Sequence, residues 1–503
     1  MRKIFRHILF ILSLALLPVN LVAQSNALIC RFETAGMTGG GDNAPFWHTS
    51  NRQGLPSVAV DNGYTHLAVL GEMSRPGGFN MEYGLDIGAG AGLESNLFIH
   101  QLYIDLDYKW LGMSLGMKER WGDKNRYLSS GALTWSGNSR PIPEVRAGIP
   151  DFVRIPLLGR WFSVKGHVGY GRLTDDTWRR EHGGNKYVDG VLFHSKSLYL
   201  RVGDEERFPL QLTIGLEMNN LFGGTLYENG TARRMPSDAA AYWTVLFPFH
   251  HVEEQGNEDG DNLGSWHLNL DYKFDDWHVG AYYEHYFEDH SSMLGIEYKN
   301  NIQGEKEFIF FGFKHNWFDG LFGIEVNAPE NVRFFRNAVL EFMNTRGLCG
   351  PICHSAACNT EGMYVIEEVD GRDGMYNHGI YSSYSHWGYA VGNPVLVSPA
   401  YNENGNGFRS NRVRMFHLGV DGGITDRIDY RMLATTTTHW GCYGAPLKDM
   451  EQVTSLMLEL SYWLGDSYSW KFSLSGAMDF DSGDLLGNNK GIMFTVSKNW
   501  KML

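Results

Sequence analysis

The stretch Trp266–Glu284 constrains the fold most. Trp266, Leu268, Leu270, Tyr272 and Phe274 alternate with His267, Asn269, Asp271 and Lys273, and a period of two sends the two sets to opposite faces of a strand. After Asp275 and Asp276 the alternation resumes, with Trp277, Val279, Ala281 and Tyr283 apolar against His278, Gly280, Tyr282 and Glu284. A two-residue turn that pairs Phe274 with Trp277 keeps both apolar rows on one side of a hairpin. Such a hairpin suits a soluble sandwich or a membrane barrel that shows lipid its apolar face.

The same alternation recurs along the chain. Met81, Tyr83, Leu85 and Ile87 form one row, and Leu102–Tyr108 with Met113–Met117 forms a second hairpin around a tight turn near Trp110. Further strand candidates are Trp161–Gly171, Phe193–Val202, Gln211–Met218, Met293–Tyr298, Phe308–Phe313, Leu321–Val326, Ala338–Asn344, Val413–Val420, Ile428–Ala434, Ser455–Tyr462, Trp470–Met478 and Ile492–Trp500. With weaker stretches the total approaches about eighteen, at the length of about ten residues that an outer-membrane strand needs. The polar rows carry Asp105, Asp107, Asp271, Lys273 and Glu284. A sandwich core cannot bury such charges unpaired, whereas a lumen hydrates them. Phe274 with Trp277, Tyr108 with Trp110, and Tyr462 with Trp463 sit beside short turns, as interfacial aromatic girdles do.

The expected fold is therefore all-β, a transmembrane antiparallel β-barrel of about eighteen strands over residues 80–503, with long outer loops. Residues 24–79 read as an irregular or plug segment, with Pro45-Phe46-Trp47 and Asn51-Arg52-Gln53-Gly54 as their distinctive letters. Short and long connections should alternate. They do from the C-terminus back to Tyr381–Ser410, but upstream the candidate strands break the parity.

The N-terminus agrees with export. Arg2, Lys3 and Arg6 precede an apolar core at Ile8–Leu17 and a small-residue site at Leu21-Val22-Ala23, so residues 1–23 read as a cleaved signal peptide bound for the outer membrane. A formal net charge of -14 argues against a nucleic-acid partner. Aromatic residues at 14% and 60 glycines are high for a soluble enzyme. Cys349, Cys353 and Cys358 cluster beside His354, but their spacing matches no paired zinc set, which leaves a loop disulfide or free thiols. The acidic run Glu253, Glu254, Glu258, Asp259 and Asp261 lacks an EF-hand spacing and reads as a solvated loop. No metal or other cofactor is expected.

Catalysis is not expected either. Glu288 and Asp289 point to opposite faces of a strand and cannot flank one glycosidic bond, and there is no Gly-x-Ser-x-Gly elbow or His-Glu-x-x-His helix. The suggestive stretch is Tyr381–Ser410. It sets Tyr381, Tyr384, Trp387, Tyr389 and Tyr401 among Ser, Asn and Gly residues, so that aromatic faces can stack on sugar rings while amides and hydroxyls bond their hydroxyl groups.

Pro45-Phe46-Trp47 with Asn51 and Gly54, Ser163-Val164-Lys165-Gly166, Phe193–Arg201 and Phe287-Glu288-Asp289 together resemble the Wzi family of capsule-assembly outer-membrane proteins, in the form found in Bacteroides-like bacteria. Asp319–Gly323, Glu341 with Thr345, Gly392-Asn393-Pro394 and Gly419–Gly422 fall in the order of that family. The resemblance implies a non-enzymatic, lectin-like barrel that binds capsular polysaccharide and helps attach or organise the capsule. Its further partners would be outer-membrane lipid and the barrel-assembly machinery, whose terminal-strand signal Asn489, Gly491, Phe494 and Val496 resemble. The polar lumen face leaves a second reading open, a diffusion channel or transporter.

Overall fold

A computed structural model describes residues 25–502, apart from 94, 206, 248–259, 289–295, 301–305, 311–317, 348–355, 359–363, 367–373, 403–404 and 466–468. Eighteen antiparallel strands form one closed sheet. In chain order they are β1 Ser25–Gly40, β2 Asn62–Arg75, β3 Phe79–Ala91, β4 Leu97–Tyr108, β5 Leu111–Met117, β6 Glu144–Arg154, β7 Phe162–Arg172, β8 Leu192–Val202 and β9 Leu210–Phe222. The wall continues with β10 Asp261–Phe274, β11 Trp277–Phe287, β12 Gly320–Asn327, β13 Asn337–Asn344, β14 Val413–Gly423, β15 Ile428–Gly441, β16 Pro446–Leu464, β17 Trp470–Asp481 and β18 Lys490–Lys501. Each strand pairs with the next, and β1 pairs with β18 from Ile29↔Lys501 to Gly40↔Lys490. Closure leaves no free sheet edge.

The opening hairpin is β10–β11, with Phe274 opposite Trp277 as the alternation requires. Asp275 and Asp276 both have positive φ, at 43° and 66°, the geometry of a tight turn whose twist matches the strands. Leu268, Leu270, Tyr272 and Phe274 face outward, while His267 and Glu284 are buried inside. Neighbouring strands extend the outward row in register. Leu270 lies opposite Ala281, Ala281 opposite Ile324, Ile324 opposite Leu340 and Leu340 opposite Leu418. Such a continuous apolar belt is what a bilayer demands of a barrel's outer wall.

The long connections all lie at one end of the barrel. Residues 76–78, 109–110, 155–161, 203–209, 275–276, 328–336, 424–427 and 465–469 lie at the other. By the usual rule the short-turn end is periplasmic and the long-loop end outer. Two sequence expectations change. Residues 24–79 are not a separate irregular or plug segment, because β1 and β2 of the barrel fall within them; only residues 41–61 between these strands enter the lumen. The described parts of Met293–Tyr298 and Phe308–Phe313 are not barrel strands; Ile296–Asn300 pairs with Lys306–Phe310 in a sheet of its own. Exchanging these two for β1, β2 and β6 puts every long connection at one end, although residues 92–96 and 442–445 there are short, so the connection expected to be longer at His439–Glu451 is a tight turn. Trp463 also departs from the girdle expectation. Tyr462 and Leu464 face outward, so Trp463 points into the lumen, where its indole N–H donates to Asp429 at 2.7 Å.

Residues 1–23, Cys349, Cys353, His354, the side chain of Cys358, and Glu253, Glu254, Glu258 and Asp259 lie outside the described residues. Cys30 and Cys442 are free thiols. Among the described residues no helix is long and apolar enough to cross a membrane.

Candidate functional site

Three outer connections, residues 41–61, 118–143 and 374–412, fold into the barrel and pack as one plug. Their Phe46, Trp47, Leu128, Leu133, Tyr376, Tyr384 and Leu396 share a buried apolar cluster with Phe193, Leu263, Val339, Met415 and Met457 of the wall. Burying aromatic and aliphatic side chains on both sides of this contact drives the loops inward. Polar anchors fix where they sit.

The first connection begins with α1, Phe46–Thr49. The Phe46 N–H donates to Asp479 of β17 at 2.9 Å, the Trp47 indole N–H to Thr435 of β15 at 3.1 Å, and His48 Nε2 meets the Ser475 hydroxyl at 3.1 Å. The second connection hangs on two wall carboxylates. Glu284 accepts from the Leu133 N–H at 2.8 Å and the Ser265 hydroxyl at 2.9 Å, and it pairs with Lys124. Glu341 accepts from the Ser129 hydroxyl at 2.6 Å, the Ser130 N–H at 2.8 Å and the Tyr282 hydroxyl at 2.5 Å. Bonds to ionised acceptors are the strong ones, and here they satisfy backbone donors that would otherwise be buried unpaired.

The third connection closes the set. The Asn393 amide donates to Ser130 at 3.2 Å and the Gly131 carbonyl at 2.5 Å, while Asn138 donates to the Ala390 carbonyl at 3.0 Å. At Gly392 a Cβ would fall 2.0 Å from the Tyr376 hydroxyl and 2.2 Å from the Leu133 carbonyl. Only glycine fits so close an approach.

This packing places the five aromatic residues proposed from sequence. Tyr381, Tyr384, Tyr389 and Tyr401 are buried inside the plug. The Tyr384 hydroxyl donates to the Thr134 carbonyl at 2.8 Å, Tyr389 donates to the Pro56 carbonyl at 2.9 Å, and Tyr401 shares a 2.6 Å bond with Thr49. Burial pushes the Tyr381, Tyr384 and Tyr401 phenols up in pKa, so all three serve as neutral hydrogen-bonding groups. Tyr381, Tyr384 and Tyr401 offer no ring face to an outside sugar in this arrangement, and Tyr389 only borders an outer cleft.

Trp387 differs. It is half-buried at the outer face, in a small cleft of about 40 Å³ with Pro56, Arg140, Trp178, His182 and Tyr389 among its walls. Its φ of 54° is unusual for a bulky residue. Three contacts hold it there, a 3.0 Å bond from its backbone N–H to Asp175, a 3.4 Å bond from its indole N–H to the Thr174 hydroxyl and the Arg140 guanidinium 5.0 Å over its ring. Beneath it α2, Asp176–His182, stacks Trp178 on His182 at 4.5 Å. His386, one residue before Trp387, is buried, which lowers its pKa and keeps it neutral. Its Nδ1–H donates to the Arg140 carbonyl at 2.9 Å and its Nε2 accepts from the Thr174 N–H at 3.2 Å.

Below the plug the lumen holds a cavity of about 620 Å³ that reaches the short-turn rim at Ser469, Asn499 and Arg336. Among the described residues no group of three or more His, Cys, Asp or Glu side chains is placed to hold a metal ion.

A closed eighteen-stranded barrel with an apolar outer belt and a lumen occupied by its own loops defines an outer-membrane β-barrel protein. A solved barrel bears this out at the level of fold. The structure of Wzi, an outer membrane protein involved in group 1 capsule assembly in Escherichia coli and a carbohydrate-binding β-barrel, is similar with a TM-score of 0.55 at 13% identity, over 93% of this chain and 83% of that one. OccK3 of Pseudomonas aeruginosa aligns with a TM-score of 0.48 at 9% identity, over 96% and 97% of the two chains. OccAB4 of Acinetobacter baumannii gives 0.47 at 7%, over 96% and 99%. No protein-family model matches the sequence, and no curated protein does.

Proposed function

We propose that this protein is a non-enzymatic outer-membrane barrel that binds capsular polysaccharide and helps assemble or attach the capsule at the cell surface. The observation that carries this reading is the plug. Two connections are bonded to β11, β13, β15 and β17, and the third to β9 where the Asn219 amide donates to the Tyr384 hydroxyl, which supports a binding surface over a conducting path. The motif resemblance to the Wzi family supports the capsule as ligand. The likeness of fold to the carbohydrate-binding Wzi barrel agrees with it.

On the outer face the strongest candidate is the cleft around Trp387, where an indole, a guanidinium and an imidazole converge. Tyr381, Tyr384, Tyr389 and Tyr401 shape this surface from beneath, holding the loop that presents Trp387. The test joins cells and purified protein. Deleting the gene should release polysaccharide into the medium while synthesis continues, and unchanged retention sinks the proposal. Purified Trp387→Ala barrel should bind capsular glycan at least several-fold more weakly than wild type; equal affinity moves the outer site elsewhere.

A further inference from the structure

The cavity beneath the plug has a lining that filling space does not require. Six of its side chains are Arg or Lys and four are carboxylates, in a chain whose formal net charge is -14. The four carboxylates are already engaged. Glu459 pairs with Arg431 at 2.9 Å and Arg52 at 3.7 Å, and Asp429 pairs with Arg336 at 2.8 Å. Glu33 accepts from the Tyr64 hydroxyl at 2.9 Å, and Asp421 from the Asn337 amide at 2.8 Å.

Two cations are left over. Among the described residues neither Arg126 nor Lys471 has a carboxylate within ion-pair distance; each lies on an aromatic ring instead. The Arg126 guanidinium is 4.5 Å from the Tyr127 ring centre and 6.0 Å from that of Trp121, and the Lys471 ammonium is 5.5 Å from that of Trp463. Arg126 and Tyr127 belong to the underside of the plug, Lys471 and Trp463 to the wall at the short-turn end. Tyr127 keeps 51% of its surface exposed inside the barrel, although apolar burial elsewhere in the plug is nearly complete.

Next to Lys471 the wall presents hydroxyls. Ser461 lies opposite Ser473, and Ser473 opposite Thr495 on the next strand, with the first two bonded to each other at 2.9 Å. Aromatic faces stack on the apolar faces of sugar rings, hydroxyls exchange bonds with sugar hydroxyls, and uncommitted cations attract carboxylates. A small inorganic anion would use the cations and hydroxyls but not the aromatic faces. The volume, about 620 Å³, lies in the usual range for small-molecule sites.

We propose that this vestibule is a binding site for an acidic saccharide, a uronate-bearing oligosaccharide or chain end, entering from the short-turn side. Arg126 and Lys471 pair with its carboxylates, Tyr127 and Trp463 stack on its rings, and Ser461, Ser473 and Thr495 bond its hydroxyls. The site lies on the opposite side of the plug from Trp387. It stands or falls independently of the outer cleft.

The test uses the full barrel in detergent with tetragalacturonate as probe and neutral maltotetraose as control, read by calorimetry and tryptophan fluorescence. Wild type should bind tetragalacturonate saturably, at least tenfold more tightly than maltotetraose, and more weakly as salt rises. The Arg126→Gln, Lys471→Gln double variant should lose at least tenfold and Lys471→Gln alone an intermediate amount, while Trp387→Ala binds as wild type. Trp463→Phe, which keeps the cations and the plug, should retain most of the affinity but lose most of the fluorescence change. No saturable binding by wild type overturns the proposal, as does wild-type affinity in the double variant or a loss confined to Trp387→Ala. Release of capsule on gene deletion alongside a negative result here removes the inner site and leaves the outer one standing.

Discussion

Glu284 and Glu341 show what single residues do in this molecule. Both sit on inward rows of the wall, where sequence marks them only as lumen-facing charges. Their partners are backbone and hydroxyl groups of residues 118–143, far away along the chain. Nothing in local periodicity reveals such a pairing, although Glu341 did belong to the motif set that carries the family resemblance. Glu341→Ala would leave the Ser130 N–H and Tyr282 hydroxyl without their carboxylate. The expected cost to plug docking is about 1–3 kcal/mol for each donor left unsatisfied, seen as faster hydrogen exchange in residues 118–143 while the barrel strands stay protected. His48 adds a pH dependence. Burial, reinforced by nearby Arg52, lowers its pKa to about 3, whereas an undocked histidine titrates near 6.5. Above that pH both states are neutral and His48 contributes no dependence. As pH falls below about 6.5 only the undocked loop takes up the proton, so docking weakens by about 2 kcal/mol at pH 5. Hydrogen exchange of residues 41–61 at pH 7.5 and 5 should therefore change more in wild type than in His48→Gln.

At the scale of elements, legibility follows from what each strand faces. The β10–β11 hairpin reads plainly because lipid lies outside it and polar groups line much of its inner side. In β1 and β2 the contrast fades. Ala35, Met37 and Tyr64 are inward residues packed with Ala44 and Leu55 of the plug, so the inner face turns apolar just where the alternation should show. β6 is hidden differently, by Pro150 and a register shift between Ile149 and Val153, since proline within a strand argues against one unless a bulge accommodates it. The outward rows carry their own prediction. Leu458 of β16 is 51% exposed within the row Leu456, Leu458, Leu460 and Tyr462. Leu458→Arg should lower barrel stability in a bilayer by about 2–4 kcal/mol, measured by urea unfolding from lipid vesicles. A loss below about 1 kcal/mol would place this row outside the hydrocarbon layer.

For the whole molecule, conductance separates the two functional readings. In a planar bilayer the wild-type barrel should pass little current, and Glu341→Ala should raise it several-fold by loosening residues 118–143; large steady currents from wild type would favour a channel. The sequence by itself determined the closed antiparallel barrel and the outward lipid-facing rows, because a period of two, and the want of any later apolar run of the roughly 20 residues a membrane helix needs, are local properties of the chain. It also marked Pro45-Phe46-Trp47, Asn51, Glu341 and Gly392-Asn393 as distinctive letters without showing why. Only the tertiary structure brought them together as the joints of one plug, sent Tyr381, Tyr384, Tyr389 and Tyr401 inward, and left Trp387 on one side of that plug and Arg126 and Lys471 on the other. Those placements depend on contacts between residues hundreds of positions apart, and on which loops find enough apolar wall to bury against.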